Sequence, residues 1–270
     1  MVDRFFIHLE GDDRLSFLQS ILTQDVQKLV EEKILFAGLL SPQGKLLHDL
    51  FLIDRGDHVL IDTDATHGPT LLKRLTMYKL RARVSLRDAS ADWQLIFSDD
   101  GLADPRHVLL PHRLYLPANA VPPVGAMEPG EAHVARLQLG IPQLGDGIAP
   151  DTVTAMDAGY DALNAISFTK GCYVGQEVTA RMHYKSIARK GFFLVRGLEP
   201  LTVGAAIEHA GRIIGQLTCT HGSLGLALLK FDDALAEPFT PQIDQQPVRI
   251  TLPAWMEAKR ALYLASLPAQ

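Results

Sequence analysis

The spacing of apolar and polar positions divides the chain into regions of different character. Phe5–Leu9 is a short, mostly apolar run and predicts a strand. After Gly11 and Asp12 the period changes. Leu15, Leu18 and Leu22 recur at helical spacing, and Phe17 and Ile21 widen the stripe, so a helix is expected with Asp12 as its N-cap. Residues 34–40 and 45–53 flank Ser41-Pro42-Gln43-Gly44, which places Pro and Gly where a type I turn favours them, and predict a hairpin. Strict alternation in its second arm puts Leu46, His48, Leu50 and Leu52 on one face. Leu47, Asp49, Phe51 and Ile53 fall on the other, which leaves Asp49 among apolar neighbours, an uncommon place for a carboxylate.

Further along, 58–62 continues the sheet. A helix is expected over 66–78 with Leu71, Leu72, Leu75 and Tyr78 inward, then a strand near 81–86. Strands near 94–97 and 113–116, with Asp104-Pro105-Arg106 in a turn, precede a helix over 131–139 that Gly140-Ile141-Pro142 ends. Residues 142–170 are rich in Gly, Asp and Pro and read as an extended surface segment. Short strands at 192–195, 206–209, 212–218, 224–229 and 248–252, separated by Gly and Pro turns, have the spacing of a small antiparallel barrel. The fold class is therefore α+β, with residues 1–190 as one domain and a C-terminal β-barrel domain over 191–270.

Composition narrows the classes of function. With 270 residues, 47% of them hydrophobic, the chain can bury a substantial core. Its net charge of −5 supplies no global attraction for polyanions, so no direct nucleic-acid partner is expected. The start lacks a long apolar stretch, and no run approaches the roughly 18 apolar residues of a membrane span. A cytoplasmic protein without a membrane partner is the expectation. Cys172 and Cys219 are the two cysteines, which excludes a disulfide framework and a four-cysteine cluster site within one chain. The ten histidines are scattered, and His107 and His112 flank Pro111 rather than share a helical face, so no metal site is expected.

The segment Phe168-Thr169-Lys170-Gly171-Cys172-Tyr173-Val174-Gly175-Gln176-Glu177 carries the candidate chemistry. Two glycines bracket the cysteine, so the backbone can turn sharply and approach a ligand. Lys170, Arg181 and a helix starting near Gly175 would favour the thiolate. The other reading is a tight loop with the cysteine as a small buried hydrophobe. Arg181, His183, Lys185, Arg189 and Lys190 form a basic run that is either a solvated helix end or an anion site. Cys219 is expected to pack in the barrel, and Asp25 serves a turn or contacts a ligand.

Lys170-Gly171-Cys172-Tyr173-x-Gly175-Gln176-Glu177, followed by Arg181, resembles the signature of the YgfZ family, a branch of the glycine-cleavage T-protein superfamily. The likeness extends along nearly the whole chain: Phe17-Leu18-Gln19, Thr23-Gln24-Asp25-Val26, Ser41–Lys45 with Asp49, Gly140-Ile141-Pro142, Gly215 and Pro253-Ala254-Trp255 all resemble family positions. The resemblance implies a T-protein-like fold with a central cavity that holds tetrahydrofolate or another reduced folate. It also implies a role in assembly or repair of iron–sulfur enzymes as clients, including those that modify tRNA. On this reading Cys172 is the functional thiol and Lys170 its catalytic neighbour. Gly171, Tyr173, Gly175, Gln176, Glu177 and Arg181 complete the loop, and His48, Asp49, Arg136 and Gln138 face the folate.

One departure matters. The aminomethyltransferases carry two adjacent aspartates on the second hairpin arm, and His48 stands in place of the first, which is expected to contact the reacting folate nitrogen. An imidazole cannot serve as that anion. Three readings follow: a maturation factor that binds folate without being a classical enzyme, a folate-dependent one-carbon transferase, and a plain binding module with a vestigial pocket.

Overall fold

The computed structural model describes residues 4–184, 188–235 and 237–266. The N-terminal half is built on a five-stranded antiparallel sheet: β1 (Arg4–Glu10), β2 (Ile34–Leu40), β3 (Leu46–Asp54), β4 (His58–Asp64) and β5 (Ser85–Asp88), in the order β2-β3-β4-β1-β5. Helices α1 (Arg14–Ile21), α2 (Leu29–Glu32) and α3 (Gly68–Tyr78) cover one face. There Phe17, Leu18, Leu71 and Leu75 pack on Leu35, Leu50, Leu52 and Ile61. Asp13, not Asp12, occupies the N-cap of α1 and makes no capping bond there, because its carboxylate is turned to Arg83. The strand expected near 81–86 begins only at Ser85.

The other face of the sheet meets the rest of the chain. The ribbon β6 (Trp93–Leu102) and β7 (Arg113–Pro117), helix α4 (Pro129–Gln138) and the segment after it all contribute to one core with Phe36, Phe51, Ile53 and Leu60. Here the surface expectation for 142–170 fails. Leu144, Ile148, Ala155, Met156, Ala158, Tyr160, Leu163, Ala165 and Ile166 are buried, so this segment forms the centre of the molecule. Its glycines reflect close packing against other elements: a Cβ at Gly159 would sit 2.5 Å from the Trp255 ring.

Helix α5 (Gln176–Tyr184) follows, then β8 (Lys190–Arg196), β9 (Ala206–His209), β10 (Arg212–His221) and β11 (Leu224–Lys230). The short α6 (Phe231–Ala234), β12 (Gln242–Ile243), β13 (Gln246–Pro247), β14 (Arg249–Thr251) and α7 (Glu257–Ala265) complete the chain. The seven strands β8–β14 form a near-closed antiparallel barrel in the order β13-β12-β9-β10-β11-β8-β14. Alternation along β8 links its two sides: Phe193 and Val195 fill the barrel, while Phe192 and Leu194 face the main core.

The hairpin alternation holds only from His48 onward. His48 pairs with Leu39, but Leu46 pairs with Leu40, so Leu47 is the extra residue of a bulge. Leu46 therefore joins Phe51 and Ile53 in the central core. Asp49 enters the same core, where it accepts hydrogen bonds from the Leu144 amide (2.9 Å) and the Tyr160 hydroxyl (2.7 Å). Burial raises the Asp49 carboxyl above its ordinary value despite both donors.

Asp49→Leu leaves a buried amide and a buried hydroxyl without an acceptor and should cost about 2–4 kcal/mol in urea unfolding. Tyr160→Phe should cost about 1–2 kcal/mol, and the double variant distinctly less than the sum, since paired removal orphans fewer groups. Additive losses would show that these groups are not coupled.

Candidate functional site

Two regions hold the candidate functional side chains. The first is a cavity of about 300 Å³ between the sheet, the β6–β7 ribbon and α4. Leu95, Phe97, Leu110, Pro111 and Leu144 supply apolar walls, and Arg4, Asp64, Arg136 and Asp146 supply polar edges. Part of its wall is a buried ionic network that residue spacing did not reveal. Asp62 binds Arg4 (2.5 Å), Arg113 (2.6 Å) and the Tyr115 hydroxyl (2.8 Å). Asp104 holds Arg106 through both oxygens and lies 3.4 Å from Arg113. Burial alone would raise the Asp62 carboxyl, but Arg4 and Arg113 more than offset it and hold it below the ordinary carboxylate range. The hint in the sequence was Asp104-Pro105-Arg106, read only as a turn.

Of the four residues expected to face folate, only Arg136 lines this cavity. It donates to the Ile141 carbonyl (2.5 Å) and pairs with Asp146, fixing the strap 141–146 across the cavity. Gln138 is exposed and lines a shallow groove outside α4 with Met127 and His221. Asp49 lies beneath Leu144, and His48 points with Leu39 and Leu50 to the helix-covered face. The substitution at His48 therefore does not remove a carboxylate from the cavity, because this position faces the opposite way.

The second region is the signature loop. Thr23 and Gln24, just after α1, receive it: Ser167 donates its amide to the Thr23 carbonyl (3.0 Å). The Thr23 hydroxyl donates to the Ala165 carbonyl (2.6 Å) and accepts the Gly38 amide (2.7 Å). Gln24 donates to the Asn164 carbonyl (2.7 Å). The Lys170 ammonium is buried and donates to the carbonyls of Gln19 (2.7 Å), Leu22 (2.7 Å) and Gln24 (2.9 Å). Burial pushes it down to about 8, with the charge of Asp25 opposing. Asp25 itself caps the turn at Val26–Lys28 and accepts from Gln19.

Gly171 and Cys172 are exposed, whereas Tyr173 is buried in the central core. The reading of Cys172 as a buried hydrophobe therefore fails. The two bracketing glycines differ. Gly175 has φ +82°, and a Cβ there would lie 2.5 Å from the Ser41 carbonyl, so the hairpin turn and the start of α5 can meet only through glycine. Among the described residues, a Cβ at Gly171 would meet nothing within 4 Å. On α5, Gln176 is half-buried, while Glu177 and Arg181 are exposed and share a shallow groove with Ala180 and Tyr184. Phe168 stacks on His183 at 3.7 Å, closing the loop against the end of α5. Of the basic run, Lys185 lies outside the described residues. Cys219 is buried between barrel and core, and burial pushes its thiol up to about 12. Among the described residues no three His, Cys, Asp or Glu side chains are grouped to hold a metal ion.

A T-protein-like fold that carries this loop and barrel defines the class. The glycine cleavage system aminomethyltransferase T from Bartonella henselae superposes with a TM-score of 0.68, covering 93% of this chain and 84% of that one at 15% identity, a likeness of fold. Residues 189–258 match the family model of the CAF17 C-terminal beta-barrel domain.

In sequence the chain is similar to proteins named iron-sulfur cluster assembly factor IBA57. The Coccidioides immitis homologue is 30% identical over 230 residues, covering 70% of this chain and 54% of the relative. The Homo sapiens protein is 27% identical over 267 residues (84% and 75%), and that of Mus musculus 25% over 313 residues (93% and 83%). The chain thus spans about half the length of the fungal relative. These relatives are named mitochondrial, which overturns the cytoplasmic expectation. Among the described residues no helix is long and apolar enough to cross a membrane.

His48 also generates a pH test. Among the described residues its buried Nδ1 has no partner, and burial, aided by the charges of Arg74 and His67, pushes the imidazole down to about 4. An unfolded chain takes up this proton near pH 6.5, the folded chain only near 4. Stability is thus full above about pH 6.5 and falls as the pH drops toward 4, by up to about 3 kcal/mol from this group. His48→Leu should flatten that part of the urea-stability curve, and parallel curves for the two proteins would contradict the assignment.

Proposed function

We propose that the chain is a YgfZ-type assembly factor that helps build or repair iron–sulfur enzymes, with Cys172 as the group that acts on the client. The observation that carries this reading is an exposed thiol on a loop whose flanks are fixed by buried hydrogen bonds. Similarity to the IBA57 proteins supports it. A thiolate is a soft ligand suited to iron, and an exposed one can reach a cluster, here the cargo, while a partner protein holds it. Enzymes that modify tRNA are the clients proposed.

We further propose that the cavity takes a reduced folate. Its apolar walls suit a flat heterocycle, the Asp64 carboxylate can accept N–H donors from the ring, and Arg4 and Arg136 suit the carboxylates of the tail. Bound there, a reduced folate would supply one-carbon chemistry. This chain's own residues favour binding over aminomethyl transfer, because Asp49 is covered by Leu144 and Asp64 already accepts the His67 amide (3.0 Å).

Cys172→Ser should abolish complementation of a strain lacking its own copy, read as activity of a cluster-dependent tRNA-modifying enzyme, while the melting temperature stays unchanged. A hydroxyl is far less acidic and a poor ligand for iron. Full complementation would refute the role of the thiol. Separately, calorimetry should show tetrahydrofolate binding that Arg136→Ala weakens. Silence at about 1 mM ligand, equivalent to about 4 kcal/mol, would refute the folate site and leave the thiol reading intact.

A further inference from the structure

Lys170 stands two residues before the thiol, and its charge invites the reading of a counter-ion. The geometry assigns it a different task. An ammonium has three N–H donors and no acceptor. In Lys170 three carbonyls take them, those of Gln19, Leu22 and Gln24. Gln19 lies in the last turn of α1 and Leu22 is its C-cap, where carbonyls lack helical partners and the helix end favours a cation. The ammonium therefore joins two distant parts of the chain, the end of α1 and the start of the signature loop.

The next anchor is Tyr173, whose ring is buried in the central core with the Lys170 ammonium 5.3 Å from its centroid. Between these two buried residues hang two exposed ones, Gly171 and Cys172. A two-residue span fixed at both ends has little conformational freedom, so the direction in which the thiol points is set by its anchors. Gly171 contributes flexibility rather than steric fit, since a side chain there would meet open space.

We propose that Lys170 is a positioning residue: by binding the three carbonyls at the end of α1 it fixes the backbone of the Cys172 loop, and it does not act as the counter-ion of the thiol. The proposal deepens the assignment of Cys172 and rests on it only for the maturation readout.

The test compares Lys170→Met and Lys170→Arg in the full chain. Methionine keeps a long stem without donors. Arginine keeps the charge, but its planar fork does not reproduce three converging bonds from one nitrogen. Amide hydrogen exchange over 171–175 should rise at least tenfold in both variants, with global melting moved far less than by Asp49→Leu. The pH at half-maximal alkylation of Cys172 by iodoacetamide should stay where it is in the wild type. Both variants should lose most client maturation. If the lysine is instead a counter-ion, Met raises the alkylation midpoint, Arg leaves it unchanged, and exchange stays at the wild-type level. That result overturns the proposal, as does a failure of both variants to fold, which would make the lysine a support of the whole region. Exchange and alkylation do not depend on iron–sulfur activity, so they separate this proposal from the proposed function.

Discussion

A carboxyl group in the middle of a protein must find partners, and the architecture turns on how Asp49 finds them. They come from Leu144 and Tyr160, far along the chain. These bonds, together with the buried apolar side chains of residues 144–166 and the backbone bonds of 151–155 to the hairpin, hold the stretch after α4 on the sheet as the central core. The position of everything downstream follows. The strap 141–146 becomes a wall of the cavity, Thr23 and Gln24 receive residues 164–167, and the chain reaches the hairpin turn at Gly175 in the only conformation that lets α5 begin there.

The C-terminal part is tied to the same stretch. The Trp255 indole donates to the Leu139 carbonyl (2.8 Å), and the Lys259 ammonium binds the Met156 carbonyl (2.6 Å) and Asp161 (2.7 Å). Gly140 packs so closely on Pro253 that a Cβ would lie 2.4 Å from its ring. Many positions that resemble the family are thus architectural: Gly140, Gly175, Gly215, Pro253 and Trp255 let elements touch. Cys172, Glu177 and Arg181 are exposed and open to a partner, and Gly171 needs no glycine for packing.

The sequence made the sheet, the hairpin, α1, α3 and the longer barrel strands legible because their apolar periods are clean and their turns are marked by Pro and Gly. It misread residues 142–170, because Gly, Asp and small residues signal a surface loop as readily as a close-packed interior. Strict period-2 alternation could not anticipate the bulge at Leu47, which reverses Leu46. The Asp62–Arg113–Asp104–Arg106 network was missed for a different reason: apart from the Asp104–Arg106 turn its members lie on separate elements, and a charge gives no sign in sequence that it will be buried with a partner. The signature loop was found by resemblance, whereas the side-chain contacts inside and outside it were not legible. Lys170 is bound to backbone carbonyls, and His48 is turned away from the cavity.

The proposed function requires that one accessible thiol act on the client from a scaffold that holds it out. Its most direct test is reversible blocking of Cys172 as a mixed disulfide with a small thiol, in the wild-type chain. Cys219 is buried, with its thiol pushed up to about 12, and should be spared. Maturation of a purified apo client should stop on blocking and return fully on reduction. Maturation that continues with Cys172 blocked would exclude a role for the thiol.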